Sequence, residues 1–316
     1  MDPSYQTAYN STFVPKGAPV TTENKFNGDF FLVFSHLKWL IIQYIWLAAV
    51  TFGAGVQWHD AYDFVQKHGC TVVGGAAHTV GAAGGWVMGG GHSPLSPMFG
   101  LGTVLPFVLL SFNSWYGGTG VDNVLQLTIV LSNGSLVTTN SFQYPDLFWA
   151  LRGGGGGTYG VVTSVTYKTY PTFPLTVVGL SANFTSPDIA QNVSTELIRL
   201  HPVISDIGWG AYIELLNVSL SILLVAPNAS LADTNATFNP FLHFVDEAAG
   251  GLIQVTATPF SSFYESFLVG VFAITEGVEE IPIVFALRLL PRSLAVTDPA
   301  KAAKIMLSLD GGVTML

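Results

Sequence analysis

A chain of 316 residues with a net charge of −9 and only 11 Lys and Arg has room for two domains and a sizeable core, but too few cations to lay a basic stripe along nucleic-acid phosphates. Its one cysteine, Cys70, excludes an internal disulfide framework and a cysteine-based zinc site; its 7 histidines form no H-x-x-x-H pair, so no metal site is expected. Residues 1–28 read as extended chain or loop around Pro3, Pro15 and Pro19. Residues 30–56 are apolar and rich in aromatic and β-branched types, as in buried strands. Within them Phe30–Val50 is long enough to cross a membrane, although His36, Lys38 and Gln43 interrupt it.

Gln57–His68 reads as a helix in which Trp58, Ala61, Tyr62 and Val65 share one face, with Gly69 placed to end it and Thr71–Val73 a short strand beyond. Residues 74–102, GGAAHTVGAAGGWVMGGGHSPLSPMFGLG, hold too much Gly and Pro for a helix or strand, and read as turns lying against something. Leu125–Thr139 reads as a hairpin. Leu125, Leu127, Ile129 and Leu131 alternate with other residues before an Asn133-Gly134 turn. Pro145 and Asp146 suit the first turn of a helix whose body is Leu147–Arg152. Gly153–Gly157 follow, then a strand over Val161–Tyr170. Pro171 and Pro174 mark a domain boundary. Beyond it, Ile189–Leu200 and Ala300–Leu309 read as helices, and Ala211–Ala226 and Ile281–Leu290 as strands.

Gly155, Gly157 and Gly160 satisfy G-x-G-x-x-G, but the order is helix, glycines, strand. A dinucleotide fingerprint needs the reverse, strand then helix, so that helix amides meet the pyrophosphate. A phosphate-binding P-loop fails too, because Thr158-Tyr159 stands where Gly-Lys-Ser/Thr is required. Two glycine clusters about sixty residues apart can still cradle a dinucleotide, since amides in consecutive turns form an anion-binding concavity and bare Cα atoms let a flat ring approach.

The stretch GAGVQWHDAYDFVQKHGCTVVGGAAHTVGAAGGWVMGGGHSPLSPMFGLG resembles the FAD-binding core of the vanillyl-alcohol oxidase and berberine-bridge-enzyme-like family, in its fungal FAD-linked oxidoreductase branch. So does VDNVLQLTIVLSNGSLVTTNSFQYPDLFWALRGGGGGTYGVVTSVTYKTYP. TPFSSFYESF and IPIVFALRLLPRSL are similar to pieces of that family's substrate domain. The resemblance implies an α+β fold: a PCMH-type FAD-binding domain over residues 1–171 and, over 172–316, a substrate domain with an antiparallel sheet backed by helices. It implies oxidation of a small hydroxylated or secondary-metabolite substrate by hydride transfer to FAD, with O₂ as acceptor. Carried over by position, Thr79, Val80, Gly81, Gly84 and Gly85 would line the flavin and pyrophosphate. Gly89, Gly90, Gly91, His92 and Ser93 would form the next loop, and Gly160 with Val161 would close the other side.

The chain departs from the family pattern in four places. The segment between Pro19 and Phe26 is shorter than usual. The flavin-linking His would fall near Asn24, where there is none, and the second linking residue, a Cys, would fall at Ala77; FAD held without covalent bonds is therefore expected. Thr103–Gly120 intervenes where GLG ordinarily runs into VDNVLQ, and reads as a translated intron or a misplaced exon boundary. The chain stops before the family's C-terminal part, so no catalytic base is assigned, although Tyr212 and Glu214 lie on a strand that could face the flavin. A catalytically inactive flavin-binding remnant or a faulty gene model is the alternative.

Asparagine usage bears on compartment. Seven of 13 asparagines begin N-x-S/T sequons: Asn10, Asn133, Asn183, Asn192, Asn217, Asn228 and Asn235. That points to a secreted glycoprotein whose signal peptide lies upstream of this N-terminus. The resemblance places the apolar 36–45 stretch among family strands, so a membrane-anchored glycoprotein without cofactor is the weaker reading.

Overall fold

The computed structural model describes residues 49–99, 120–216, 218–269, 291–308 and 313–315. The expected strand at Ile281–Leu290, the proposed intron except Gly120, and Asn24 fall outside these residues, as does nearly all of Phe30–Val50. No helix among the described residues is long and apolar enough to cross a membrane. The described chain forms two compact units. One holds residues 49–72, 78–90 and 124–170; the other holds 73–77, 91–99, 120–123 and the described residues from 171 onward.

The first unit is built on a four-stranded antiparallel sheet, in the order β1 (Ala49–Gly53), β5 (Val161–Lys168), β3 (Val124–Val130), β4 (Leu136–Asn140). Two-residue strands β2 (Cys70–Thr71) and β6 (Tyr170–Pro171) complete the element order up to this point. The helix Trp58–Lys67 buries the four residues expected, Trp58, Ala61, Tyr62 and Val65, and ends before Gly69 at φ +68°. The β3–β4 hairpin closes through Leu131 N–H to Ser135 O and Gly134 N–H to Leu131 O, both 2.9 Å. Its alternation slips at the start: a register shift between Val124 and Gln126 buries Val124 and leaves Leu125 half-buried, while Leu127 and Ile129 keep the inward phase. Trp58 anchors the core. It stacks on Tyr62 at 5.4 Å and meets Trp86 and Tyr167 edge-on at 4.7 and 5.7 Å.

The second unit carries a five-stranded antiparallel sheet, in the order β10 (Ile253–Phe260), β7 (Leu175–Asn183), β9 (Ser219–Pro227), β8 (Gly210–Leu216), β11 (Val313–Met315). The stretch Ala211–Ala226, expected as one strand, is a hairpin of β8 and β9. The helices Pro187–Asp206 and Leu231–Ala249 cover one face; the first runs beyond the expected Ile189–Leu200 at both ends. Alternation decides what they cover. Val178, Leu180 and Ala182 of β7, Ala211, Ile213 and Leu215 of β8, and Leu220, Ile222 and Leu224 of β9 join Leu197, Phe238 and Phe241 in one apolar cluster. Leu231–Ala249, which propensity alone misses because Pro240 sits inside it, opens with a reciprocal capping box between Ser230 and Asp233 and closes at Gly250, φ +63°.

The helix Arg292–Thr297 is tied to the end of Pro187–Asp206 by a bidentate pair, Arg292 to Asp206 at 2.6 and 2.8 Å. Burial first, and the nearby Arg292 guanidinium second, hold His201 below its ordinary pKa of 6.5. The neutral ring is favoured on folding, so its contribution to stability is present above pH 6.5 and is lost as pH falls through the lowered folded-state value. Melting temperatures measured at about pH 7.5 and about pH 5.5 should show a smaller acid loss for His201→Gln than for the parent. An unchanged pH difference would remove His201 from the account.

Candidate functional site

The described part of the glycine-rich stretch, 74–99, is largely turns, but it forms two single helical turns, Gly85–Met88 and Ser96–Phe99, which sequence reading excluded. One turn needs only a bond or two, here Met88 N–H to Gly84 O at 3.1 Å and Gly89 N–H to Gly85 O at 2.8 Å, so glycine's entropy cost is met locally. The stretch is pinned from both sides. Gly81 bridges to Gln57, Ala82 N–H donates to Val56 O at 2.8 Å, and the Tyr167 hydroxyl on β5 donates to Ala82 O. Burial pushes the Tyr167 phenol well above its ordinary range, so it stays a donor.

The second glycine cluster folds back onto the first. Gly155 N–H donates to Met88 O at 2.9 Å, and a Cβ on Gly156 would stand 3.4 Å from Gly85 Cα. Glycines far apart in sequence thus make one surface within the first unit. They do not all serve it in the same way. A Cβ on Gly160, φ +146°, would stand 2.3 Å from Val130 O, so this glycine is required by the chain's own packing. A Cβ on Gly84 or Gly85 would meet nothing within 4 Å among the described residues. No side chain caps the turn that Gly84 opens. The buried indole nitrogens Nε1 of Trp58 and Trp86 have no hydrogen-bond partner among the described residues. An open glycine shelf, uncapped loop amides and two orphaned buried donors fit an anionic ligand with flat rings, as FAD is.

The expected cofactor residues divide between the units. Thr79, Val80, Gly81, Gly84, Gly85, Gly89, Gly90, Gly160 and Val161 belong to the first, and the shelf brings together its glycines at 84, 85 and 155–156. Thr79, Val80 and Val161 are exposed. Gly91, His92 and Ser93 belong to the second unit. There Ser93 is buried, its hydroxyl oxygen accepting from Leu95 N–H at 3.3 Å. The Cys70 thiol donates to His68 O at 3.5 Å.

In the second unit His92 and Pro94 lie on the sheet face opposite the helices, against Tyr212 and Gly210. Gly210 makes this possible: a Cβ there would stand 2.1 Å from Pro94 O. Nothing in the sequence around Trp209-Gly210 signals that need. Two residues on, Tyr212 Oη lies 3.3 Å from His92 Nδ1, with the rings edge-on at 5.7 Å. The phenol donates when the imidazole carries its proton on Nε2. Burial raises the Tyr212 pKa and lowers that of His92, so both stay neutral near pH 7; His92 keeps an exposed surface, and its shift carries little free energy. Glu214 is exposed on the same face, one pleat further. The face therefore presents a neutral proton-sharing pair beside a carboxylate.

No family model matches the chain. An uncharacterized FAD-linked oxidoreductase of Arthroderma benhamiae is 33% identical over 268 residues, covering 82% of this chain and 40% of that protein. The FAD-linked oxidoreductase phmC of Phaeosphaeria nodorum is 34% identical over 225 residues, covering 71% of this chain and 46% of that protein. Among solved structures, the VAO-type flavoprotein MtVAO615 of Myceliophthora thermophila superposes with a TM-score of 0.65 at 27% identity, over 82% of this chain and 45% of that one. The chain thus spans less than half the length of each of these relatives. With its glycine shelf and its helix-backed antiparallel sheet, the chain belongs to the fungal FAD-linked oxidoreductases of the vanillyl-alcohol oxidase and berberine-bridge-enzyme-like family.

Proposed function

We propose that the protein is an FAD-dependent oxidoreductase acting on a small hydroxylated or secondary-metabolite substrate, with O₂ as electron acceptor. The observation that carries this reading is the meeting of the two glycine clusters, through Gly155 N–H to Met88 O and Gly156 against Gly85, in a chain related to FAD-linked oxidoreductases. Bound FAD supplies two-electron acceptance: a hydride leaves the carbinol carbon, the hydroxyl gives up its proton, and O₂ takes the electron pair and two protons as hydrogen peroxide. The protein's own part is to bind and orient. The Gly84–Gly85 backbone offers a close, side-chain-free approach, and Trp86, next in the chain, carries an indole N–H without a partner among the described residues.

On the second unit's sheet, Tyr212 and His92 hold a proton between Oη and Nδ1, and Glu214 offers an acceptor for a substrate hydroxyl. We propose that FAD is held without a covalent bond, because Ala77 stands where a linking thiol would be needed and Cys70 is engaged at His68 O.

The test is the visible absorption spectrum of the purified protein. Oxidised-flavin bands released into the supernatant by acid precipitation, followed by peroxide formation with alcohols or saccharides, are expected. Colour that stays with the precipitate would overturn the non-covalent reading. A protein that stays colourless after FAD is added would overturn the enzyme reading in favour of an inactive remnant.

A further inference from the structure

We propose that Glu214 sets the charge selectivity of the substrate face: alcohols that are neutral or carry an ammonium group are admitted, and alcohols that carry a carboxylate are turned away. This deepens the flavoenzyme reading above and rests on it.

The five strands of the second unit's sheet carry one charged residue between them. β10 (IQVTATPF), β7 (LTVVGLSAN), β9 (SLSILLVAP) and β11 (VTM) have none, and β8 (GAYIELL) has Glu214. Alternation decides which side it takes. Ile213 and Leu215 join the core beneath the helices, so Tyr212 and Glu214 stand on the opposite face, where Glu214 is exposed. Strand pairing sets its neighbours. Its row across the sheet is Gln254–Ser181–Ser221–Glu214, and the Tyr212 row beside it continues through Leu223 and Gly179. Apart from Glu214, these positions offer a hydroxyl, an amide, an aliphatic chain or a bare glycine.

Nothing described on this face balances the carboxylate. The described cations of the second unit are Arg199, Arg292, Lys301 and Lys304. They lie on Pro187–Asp206 and on Arg292–Thr297 and Pro299–Leu307, the two helices packed against it, so none rises from the sheet itself. Arg199 and Arg292 are also paired, with Glu196 and Asp206. His92 and Tyr212 add no charge near pH 7, because burial keeps both neutral. The stretch from His92 to Phe99, which sets His92 and Pro94 on the face, holds no Asp, Glu, Lys or Arg.

A lone carboxylate on an uncharged face acts at longer range than a hydrogen bond. Along β8, Tyr212 and Glu214 are about 7 Å apart, two residues of an extended strand. An alcohol held at Tyr212 and His92 therefore carries its further substituents toward Glu214. Two unit charges about 6 Å apart on a partly solvated surface alter affinity by about tenfold. A hydroxyl there gains an acceptor and an ammonium gains an ion pair. A carboxylate meets repulsion that no described cation on the strands relieves.

The FAD-loaded protein is assayed for peroxide with two series: benzyl alcohol with its para-aminomethyl and para-carboxy derivatives, and glucose with glucosamine and glucuronate. In the parent, kcat/KM for each carboxylate is expected about tenfold below that of its neutral relative, with the loss in KM, and each amine at or above the neutral compound. Glu214→Gln keeps the shape and an acceptor oxygen but not the charge, and should bring the members of each series within about twofold of one another. Raising NaCl from about 0.02 M to about 0.5 M should narrow the parent's gap as well, since screening acts on charge, and this needs no variant. Where no compound gives peroxide, the same comparison is read from the shift each causes in the flavin absorbance.

A carboxylate used as well as its neutral relative, or a gap that Glu214→Gln and salt leave unmoved, overturns the charge selectivity while the flavin bands keep the flavoenzyme reading standing. A flavin band indifferent to all of the compounds overturns it too. A protein that stays colourless with added FAD fails earlier, at the flavoenzyme reading, and this inference falls with it.

Discussion

Gly160→Ala should lower stability by about 3 kcal/mol and the melting temperature by about 8 °C, whether or not FAD is present. The residue sits at φ +146°, where an L side chain is strained, and its Cβ would lie 2.3 Å from Val130 O and 3.1 Å from Ile129 Cγ1 and Cδ1. Neither β3 nor β5 can move aside, because Val130 pairs with Val161 beside it and with Leu136 across the hairpin. Gly85→Ala should do the opposite. Gly85 begins a helical turn and its Cβ would meet nothing within 4 Å among the described residues, so the apo fold should gain up to about 1 kcal/mol from helix propensity. If the shelf holds FAD, the added methyl should weaken FAD binding about tenfold or more, read by flavin titration. Thermal unfolding together with titration therefore separates a glycine kept for packing from one kept for a ligand. Equal losses of stability in the two variants would defeat the distinction.

Trp58→Ala should cost about 4 kcal/mol and lower the melting temperature by about 10 °C. The indole is fully buried against Tyr62, Trp86 and Tyr167, rigid rings that fill a vacated volume poorly. Trp58→Phe should recover more than half of that loss, since a six-membered ring keeps much of the aromatic packing while the rest of the indole goes, together with an Nε1 donor that has no partner among the described residues. Calorimetry on the three proteins checks the order. A Phe variant no more stable than the Ala variant would show that aromatic packing alone does not carry the contribution.

Local chemistry made parts of the fold legible. Trp58, Ala61, Tyr62 and Val65 repeat at helical spacing, and the helix Trp58–Lys67 buries those four. Pro145 and Asp146 open the helix Pro145–Leu151, and Gly134 turns the hairpin at φ +81°. Where such cues were missing or contradictory, reading failed. The β8–β9 turn near 217–218 carries no Gly or Pro, so two strands read as one. The helix Leu231–Ala249 was hidden by Pro240, although Ser230 and Asp233 stood at capping-box spacing.

The density of glycine at 74–102 and 153–160, the sequons and the acidic, cation-poor composition were determined by the sequence alone, because each depends only on residue type and spacing. Which glycines serve the fold and which leave a shelf open was decided only in three dimensions. Gly160 is wedged against Val130, Gly210 beneath Pro94, and Gly85 against no side chain among the described residues. A missing Cβ has no meaning until the atom it would strike, or the space it leaves, is supplied by a strand or loop far away in the chain.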